Sequence, residues 1–218
     1  MLHFENVGLY NGLFVMQDVE SRTLWNHISG EAMYGPHVGR TLGPIGNMMQ
    51  INVDEALEYD ADMQVAISDR PFGGMGQNFL SENAQLMPMF IETLGEEDDR
   101  RPRMDMGLGI WTGQTRRYYP MDVIRQAGAI IDELDGREIL VFIDSSSSTP
   151  TALFVDADSA TVEGREIRLD TGEVVRAGAL YDGAGNRIDE ERPQQIFTRW
   201  YGYSLTFPGS EVYGQQAL

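Results

Sequence analysis

Cysteine and lysine are both missing from this 218-residue chain. Without cysteine there is no disulfide, no thiol nucleophile and no zinc–thiolate centre. Without lysine there is no Schiff-base chemistry. The 16 basic side chains are therefore all arginine, set against 34 carboxylates for a net charge of −18. Nucleic acids and anionic membranes call for clustered positive charge, so neither is an expected partner. Long apolar runs are lacking too, and nothing approaches the roughly 20 residues of a membrane-spanning helix. The start, Met1-Leu2-His3-Phe4-Glu5-Asn6, has no basic segment followed by an apolar one. That argues against a signal peptide, and a cytoplasmic location is expected.

Several catalytic signatures are absent as well. No Gly-x-Ser-x-Gly occurs to form a nucleophile elbow. Gly107-Leu108-Gly109 lacks the later glycine and helix of a dinucleotide site, and Gly73-Gly74-Met75-Gly76 lacks the lysine of a phosphate loop. No cofactor is expected.

What is present is a dense set of strand and turn signals, and it is organised around Leu9–Leu42. This stretch holds two of the three histidines and one of the three tryptophans. Leu13–Met16 is a short apolar run ending near Asp18, and Thr23–Ile28 is rich in β-branched and aromatic residues. Strand alternation puts Thr23, Trp25 and His27 on one face, and Leu24, Asn26 and Ile28 on the other. Ser29-Gly30 turns the chain, Glu31–Tyr34 returns, and Gly35-Pro36 and Gly39 punctuate the following loop.

Further strands are predicted at Leu2–Val7, Met48–Ile51, Gln64–Ile67, Gly107–Trp111, Thr115–Tyr119, Ala129–Leu134, Glu138–Ile143, Thr151–Val155, Ala160–Val162 and Glu166–Leu169. Asp135-Gly136 is a strong hairpin signal. Short helices are predicted at Val53–Tyr59, capped by Asn52, and at Met121–Gln126 after Pro120. Glu82–Leu94 has helical spacing. The fold class is mainly β, a β-rich α+β protein with two pseudo-repeated β-meander or barrel-like halves. Residues 1–68 form the first half, 69–103 a long connection or lid, and 104–218 the second, within one compact domain. The second copy is read at Asp170–Tyr213, with Asp170–Val175 parallel to Glu20–Trp25 and Gly178-Ala179 parallel to Gly30–Ala32.

The organising stretch resembles a bacterial family known as domain of unknown function 3179. The resemblance rests on Leu9-Tyr10, Leu13 or Phe14, Asp18, Leu24-Trp25, Gly30, Ala32, Gly35-Pro36, Gly39 and Leu42. A second patch of resemblance is Tyr118-Tyr119-Pro120, Ile130-Ile131-Asp132, Asp135-Gly136 and Leu140-Val141-Phe142. Family members carry a Cys-Pro-x-Cys segment ahead of the first motif, and this chain reads as a shortened member without it. Longer relatives are therefore compatible with secretion. At Asp144–Pro150, where the family's other copies place cysteines, this chain has a serine loop, read here as a flexible turn.

The candidate site lies in the organising stretch. His27 is the proton carrier, because imidazole titrates near neutrality, with Asp18 or Glu31 as its carboxylate partner. Tyr10 and Trp25 form walls, and Asn26, His37, Arg117 and Tyr119 are candidate ligand-binding residues, the last two by arginine hydrogen bonding and ring stacking. His27 and His37 have no spacing characteristic of a metal site, and no metal is expected. The functional expectation is an enzyme using non-covalent acid–base chemistry (a lyase, isomerase or hydrolase) on a small molecule. The alternative is a non-catalytic ligand-binding or scaffold module.

Overall fold

The computed structural model describes residues 1–42, 50–67, 69 and 85–215. The strands are β1 (Phe4–Tyr10), β2 (Leu13–Asp18), β3 (Leu24–Asn26) and β4 (Ala32–Tyr34), followed by helices α1 (Val53–Tyr59) and α2 (Pro88–Ile91). Then come β5 (Met106–Trp111), β6 (Arg116–Pro120), α3 (Met121–Ala127), β7 (Ala129–Leu134), β8 (Arg137–Ile143) and β9 (Pro150–Phe154). The chain continues with β10 (Ala160–Glu163), β11 (Glu166–Leu169), β12 (Val174–Arg176), β13 (Ala179–Tyr181), β14 (Gln194–Arg199), α4 (Trp200–Thr206) and β15 (Glu211–Val212). The protein is mainly β, as expected. No helix among the described residues is long and apolar enough to cross a membrane.

Among the described residues there are four sheets, ordered β1-β2-β3-β4, β10-β11-β12-β13, β14-β5-β6-β15 and β7-β8-β9. Each is open, so the barrel-like expectation is corrected. Three or four short strands cannot close on themselves, since closure takes more strands and a consistent tilt. The chain divides into two compact units. The first comprises Met1–Gly46, Asn83–Asp105 and Thr198–Ser210, and the second Asn47–Glu82, Met106–Phe197 and Glu211–Leu218.

In the first unit, the β1–β2 hairpin turns at Asn11-Gly12, both with positive φ (53° and 69°), the requirement of a two-residue turn that matches strand twist. The segment after α2 clamps this turn. Asn11 N–H donates to Thr93 O at 3.0 Å, Gly95 N–H to Asn11 Oδ1 at 3.1 Å, and Phe14 meets Phe90 edge-on at 5.6 Å.

In the second unit, β8 is the centre. Its neighbours pair antiparallel, and the β7–β8 turn Asp135-Gly136 repeats the positive φ pair (52° and 77°). Ile139 and Val141 join one core cluster with Leu108, Ile110, Tyr119 and Ile124. Leu140 and Phe142 face the opposite way into a cluster with Leu153, Ile167, Leu169, Val175 and Leu180. A strand buried on both faces reads as a continuous apolar run, and Ile139–Ile143 is one.

Some predicted elements differ. Gln64–Ile67 carries no strand and is exposed. Gln50-Ile51 carries none either, and the rest of that predicted strand lies outside the described residues, as does the start of the helix predicted at Glu82–Leu94, which shrinks to Pro88–Ile91.

Candidate functional site

Asp18 ends β2 and is fully buried. Its side chain folds back over its own turn. Ser21 donates through its backbone N–H (2.5 Å) and its Oγ (2.6 Å), and the Trp25 indole N–H donates at 2.8 Å. Burial alone pushes the carboxyl up, but the hydrogen bonds from Ser21, Trp25 and the turn's backbone outweigh it and bring it from 3.8 down to about 2. The folded-state value lies below the unfolded one. The stability this carboxylate adds is thus complete above the unfolded value and is lost as pH falls from about 4 through about 2. Urea denaturation of the wild type and Asp18→Asn from pH 7 to 2 is expected to show a constant gap above about pH 5 that narrows towards pH 2. A gap independent of pH would show that the charge is not what Asp18 contributes.

The other residues predicted for the site are placed as follows. Trp25 is buried beneath the Phe4 ring (6.4 Å, edge-on) and the His37 ring (6.0 Å). His27 follows β3, is exposed, and its Nδ1 lies 2.7 Å from Phe14 O. Asn26 uses its Oδ1 to accept from the N–H groups of Ile28 (2.8 Å) and Ser29 (3.1 Å). Glu31 and Tyr10 are exposed. The structure thus brings Asp18, Trp25 and His37 together, while Trp25 is turned inward and His27 outward.

Arg117 and Tyr119, in the second unit, are committed to a polar cluster. Arg117 holds Asp132 at 2.6 Å and Glu211 at 2.6 Å, and Tyr119 donates to Asp132 at 2.7 Å while stacking on Tyr213 at 5.1 Å. Burial pulls the Arg117 guanidinium down, but its bonds to the two carboxylates outweigh this and raise it. Burial, and then the Asp132 charge, raise the Tyr119 phenol far above its usual range.

The Asp18 turn has a counterpart at Asp144. Asp18 N–H donates to Thr23 O (3.1 Å), as Asp144 N–H does to Thr149 O (2.9 Å), and Arg22 N–H donates to Asp18 O (2.9 Å), as Ser148 N–H does to Asp144 O (2.8 Å). Ser147 donates to the Asp144 carboxylate through its N–H (2.8 Å) and Oγ (2.7 Å), and its Oγ meets Thr149 Oγ1 at 2.7 Å, the separation also found between Ser21 and Thr23. Arg22 and Ser148 share a left-handed backbone, φ 61° and 58°. The registers agree too: Met16 pairs with Trp25 across β2 and β3, and Phe142 with Thr151 across β8 and β9. The turn at Asp170, where the sequence suggested the second copy, differs. There Leu169 N–H reaches Glu173 O and Gly172 N–H reaches Leu169 O.

Beside the Asp144 turn lies a cavity of about 180 Å³. Leu108, Ile196 and Phe197 give it apolar walls, and Thr151, Arg192 and Gln195 give it polar ones. Arg192 is fixed by Thr151 Oγ1 (2.8 Å), Gly178 O (2.5 Å) and Glu190 (3.2 Å). Gln195 spans the Ala152 backbone, accepting at 2.8 Å and donating at 3.0 Å. A separate groove is lined by Arg165, Arg176 and Arg187 with Ser145 and Ser146. None of these residues was singled out as a site from the sequence. The signal that could have found the cavity was the spacing Asp-x-x-Ser-x-Thr, present at both Asp18 and Asp144.

No curated protein and no solved structure matches the chain. The family model described as "Protein of unknown function (DUF3179)" matches residues 2–207. Since that match runs nearly from end to end, the chain belongs to the DUF3179 family.

Proposed function

We propose that the protein is a non-catalytic module that binds a small molecule in the cavity beside the Asp144 turn. One observation carries this reading: the cavity joins apolar walls to polar groups already held in place, Arg192 by three partners and Gln195 by a strand backbone. Fixed polar groups on an apolar wall are what a preformed ligand seat needs, because little ordering remains to be done on binding. The acid–base alternative has less support, because the Asp18 oxygens are engaged by Ser21 and Trp25 in a buried turn while His27 is exposed with its Nδ1 2.7 Å from Phe14 O. The partner is a small molecule rather than nucleic acid, in keeping with the −18 charge.

The test is to incubate the protein with a metabolite extract and compare bound and free pools by mass spectrometry. The expected result is a ligand recovered with its mass unchanged, and bound equally by His27→Ala and Glu31→Ala. Time-dependent loss of a metabolite that requires His27 would establish the enzyme instead.

A further inference from the structure

The groove lined by Arg165 and Arg176 holds positive charge that no ion pair answers. The chain sets 34 carboxylates against 16 arginines, and arginines elsewhere are matched: Arg103 to Glu97, Arg137 to Glu191 and Arg168 to Glu163. Arg165 and Arg176 have no ion pair among the described residues. Arg165 lies in the β10–β11 turn, where its Nη2 donates to Ser145 O at 3.3 Å and Ser145 Oγ donates back to Arg165 O at 3.0 Å. Arg176 ends β12 before the left-handed pair Ala177-Gly178 (φ 46° and 71°), and its guanidinium lies 4.0 Å over the Tyr181 ring. β11 and β12 run antiparallel with Ile167 opposite Val175, which puts these two turns at the same end of the sheet. Arg187 also lines the groove, bonded to Glu190 at 3.3 Å, and Glu166 is the carboxylate on the lining.

We infer that this groove binds the phosphate group of a small phosphorylated molecule. The site is distinct from the cavity beside the Asp144 turn, with which it shares no lining residue. Like charges on one wall repel, and a guanidinium cannot shed its proton to relieve this, so an anion is what balances them. A phosphate monoester carries about −1.5 to −2 at pH 7, close in size to the charge of two guanidiniums. Glu166 offsets part of the groove's charge and gives a hydroxyl of the organic part an acceptor. Phosphate oxygens point in several directions and accept the paired N–H groups of an arginine fork, which here come from two separate turns. The Ser146 hydroxyl, which has no hydrogen bond among the described residues, is a further donor on the same wall. Arg165 and Arg176 are steadied by Ser145 and Tyr181, so less side-chain freedom is lost on binding. The groove's volume of about 580 Å³ exceeds what a phosphate alone fills and is that of a small-molecule site. The surrounding −18 surface favours a small anion over a polymer of phosphates, whose further charges would meet carboxylates. At physiological salt those carboxylates are screened beyond roughly 8 Å, so the arginines govern what the groove attracts.

The test titrates the wild-type chain with glycerol phosphate, inorganic phosphate, malonate and glycerol, following binding by calorimetry and locating it by amide shifts. Glycerol phosphate is expected to bind most tightly, to move the amides of residues 164–166 and 176–178, and to leave those of 195–197, on the other cavity, in place. Arg165→Ala and Arg176→Ala are each expected to weaken it about tenfold, the scale of one lost charge-assisted hydrogen bond. Arg165→Gln and Arg176→Gln, which keep more of the side chain, are expected to weaken it by a similar factor and serve if the alanine variants do not fold. Arg168→Ala, which removes an arginine of the same sheet that Glu163 holds, is expected to leave binding unchanged. Malonate or glycerol binding as tightly as glycerol phosphate would overturn the choice of phosphate, and inorganic phosphate binding as tightly would overturn the organic part. Shifts confined to residues 195–197 would place the anion beside Arg192 and overturn this site while leaving the cavity as a ligand seat. An equal loss in Arg168→Ala, no loss in either groove variant, or no binding of glycerol phosphate at millimolar concentration would overturn the proposal outright.

Discussion

Asp132→Ala is expected to destabilise the protein by about 3–5 kcal/mol, the cost of removing one partner from a largely buried charge pair. Arg117 and Asp132 keep only 20% and 18% of their side-chain surface exposed and lie 2.6 Å apart. Without Asp132, the Arg117 Nη1 retains a carbonyl contact at Glu133 O (3.1 Å), and Glu211, itself 48% exposed, carries the remaining charge. The Tyr119 hydroxyl, on a ring that is fully buried, loses its acceptor at the same time. Chemical denaturation of the variant measures the loss. Asp132→Asn, which keeps an acceptor for Tyr119 and Arg117 but not the charge, is expected to fall between the two. A loss below about 1 kcal/mol for Asp132→Ala would mean that the cluster behaves as an exposed surface pair. That outcome would return Arg117 and Tyr119 to the list of groups available for a ligand.

This cluster also marks the limit of what the sequence discloses. The strand carrying Arg117 and Tyr119 is legible from its β-formers and from Pro120. Their partners were not legible. Asp132 comes from β7, on the far side of α3, and Glu211 from β15, which joins β6 in parallel from far along the chain. Local propensity carries no information about such distant pairing.

The same division holds along the chain. Asp135-Gly136 is readable as a hairpin because a two-residue turn demands positive φ, which aspartate and glycine tolerate, and the structure adds a second such turn at Asn11-Gly12. The helix at Val53–Tyr59 was readable from Asn52 and the pattern after it. The shared face of Trp25 and His27 was not, because strand alternation lasts only as long as the strand. Asn26 stops it: its side chain bonds to the N–H groups of Ile28 and Ser29 and bends the backbone into a turn, so His27 leaves the pleat. A residue type that offers the backbone an alternative to the ladder was read as one more strand position. Asp18, expected with Glu31 as a carboxylate partner for His27, is engaged by its own turn. Its spacing to Ser21 and Thr23, seen again at Asp144, Ser147 and Thr149, is the mark of a side chain that closes its own turn.

Gly107→Ala is expected to cost about 3 kcal/mol, at the upper end of overpacking losses, although alanine has the better intrinsic standing in an ordered backbone. Gly107 opens the run of β5 that faces the core and pairs with Pro120 of β6. A Cβ there would stand 2.5 Å from Tyr119 O and 2.6 Å from the Tyr118 ring. The carbonyl belongs to a paired strand, and the Tyr118 ring is fully buried, so neither can move aside without disturbing β6. The next residue, Leu108, is both a member of the core cluster and a wall of the cavity. The shift forced on β5 should therefore reach the ligand seat as well as the core. Two measurements separate these effects. Denaturation midpoints give the stability loss, and the amide shifts of residues 144–151 report on the seat at temperatures where the variant remains folded. The glycine in Gly107-Leu108-Gly109 is then explained by close approach of a carbonyl and a ring, without any phosphate to cradle. A variant as stable as the wild type would show that β5 and β6 can separate by several tenths of an ångström at no cost, against the close packing of both strands.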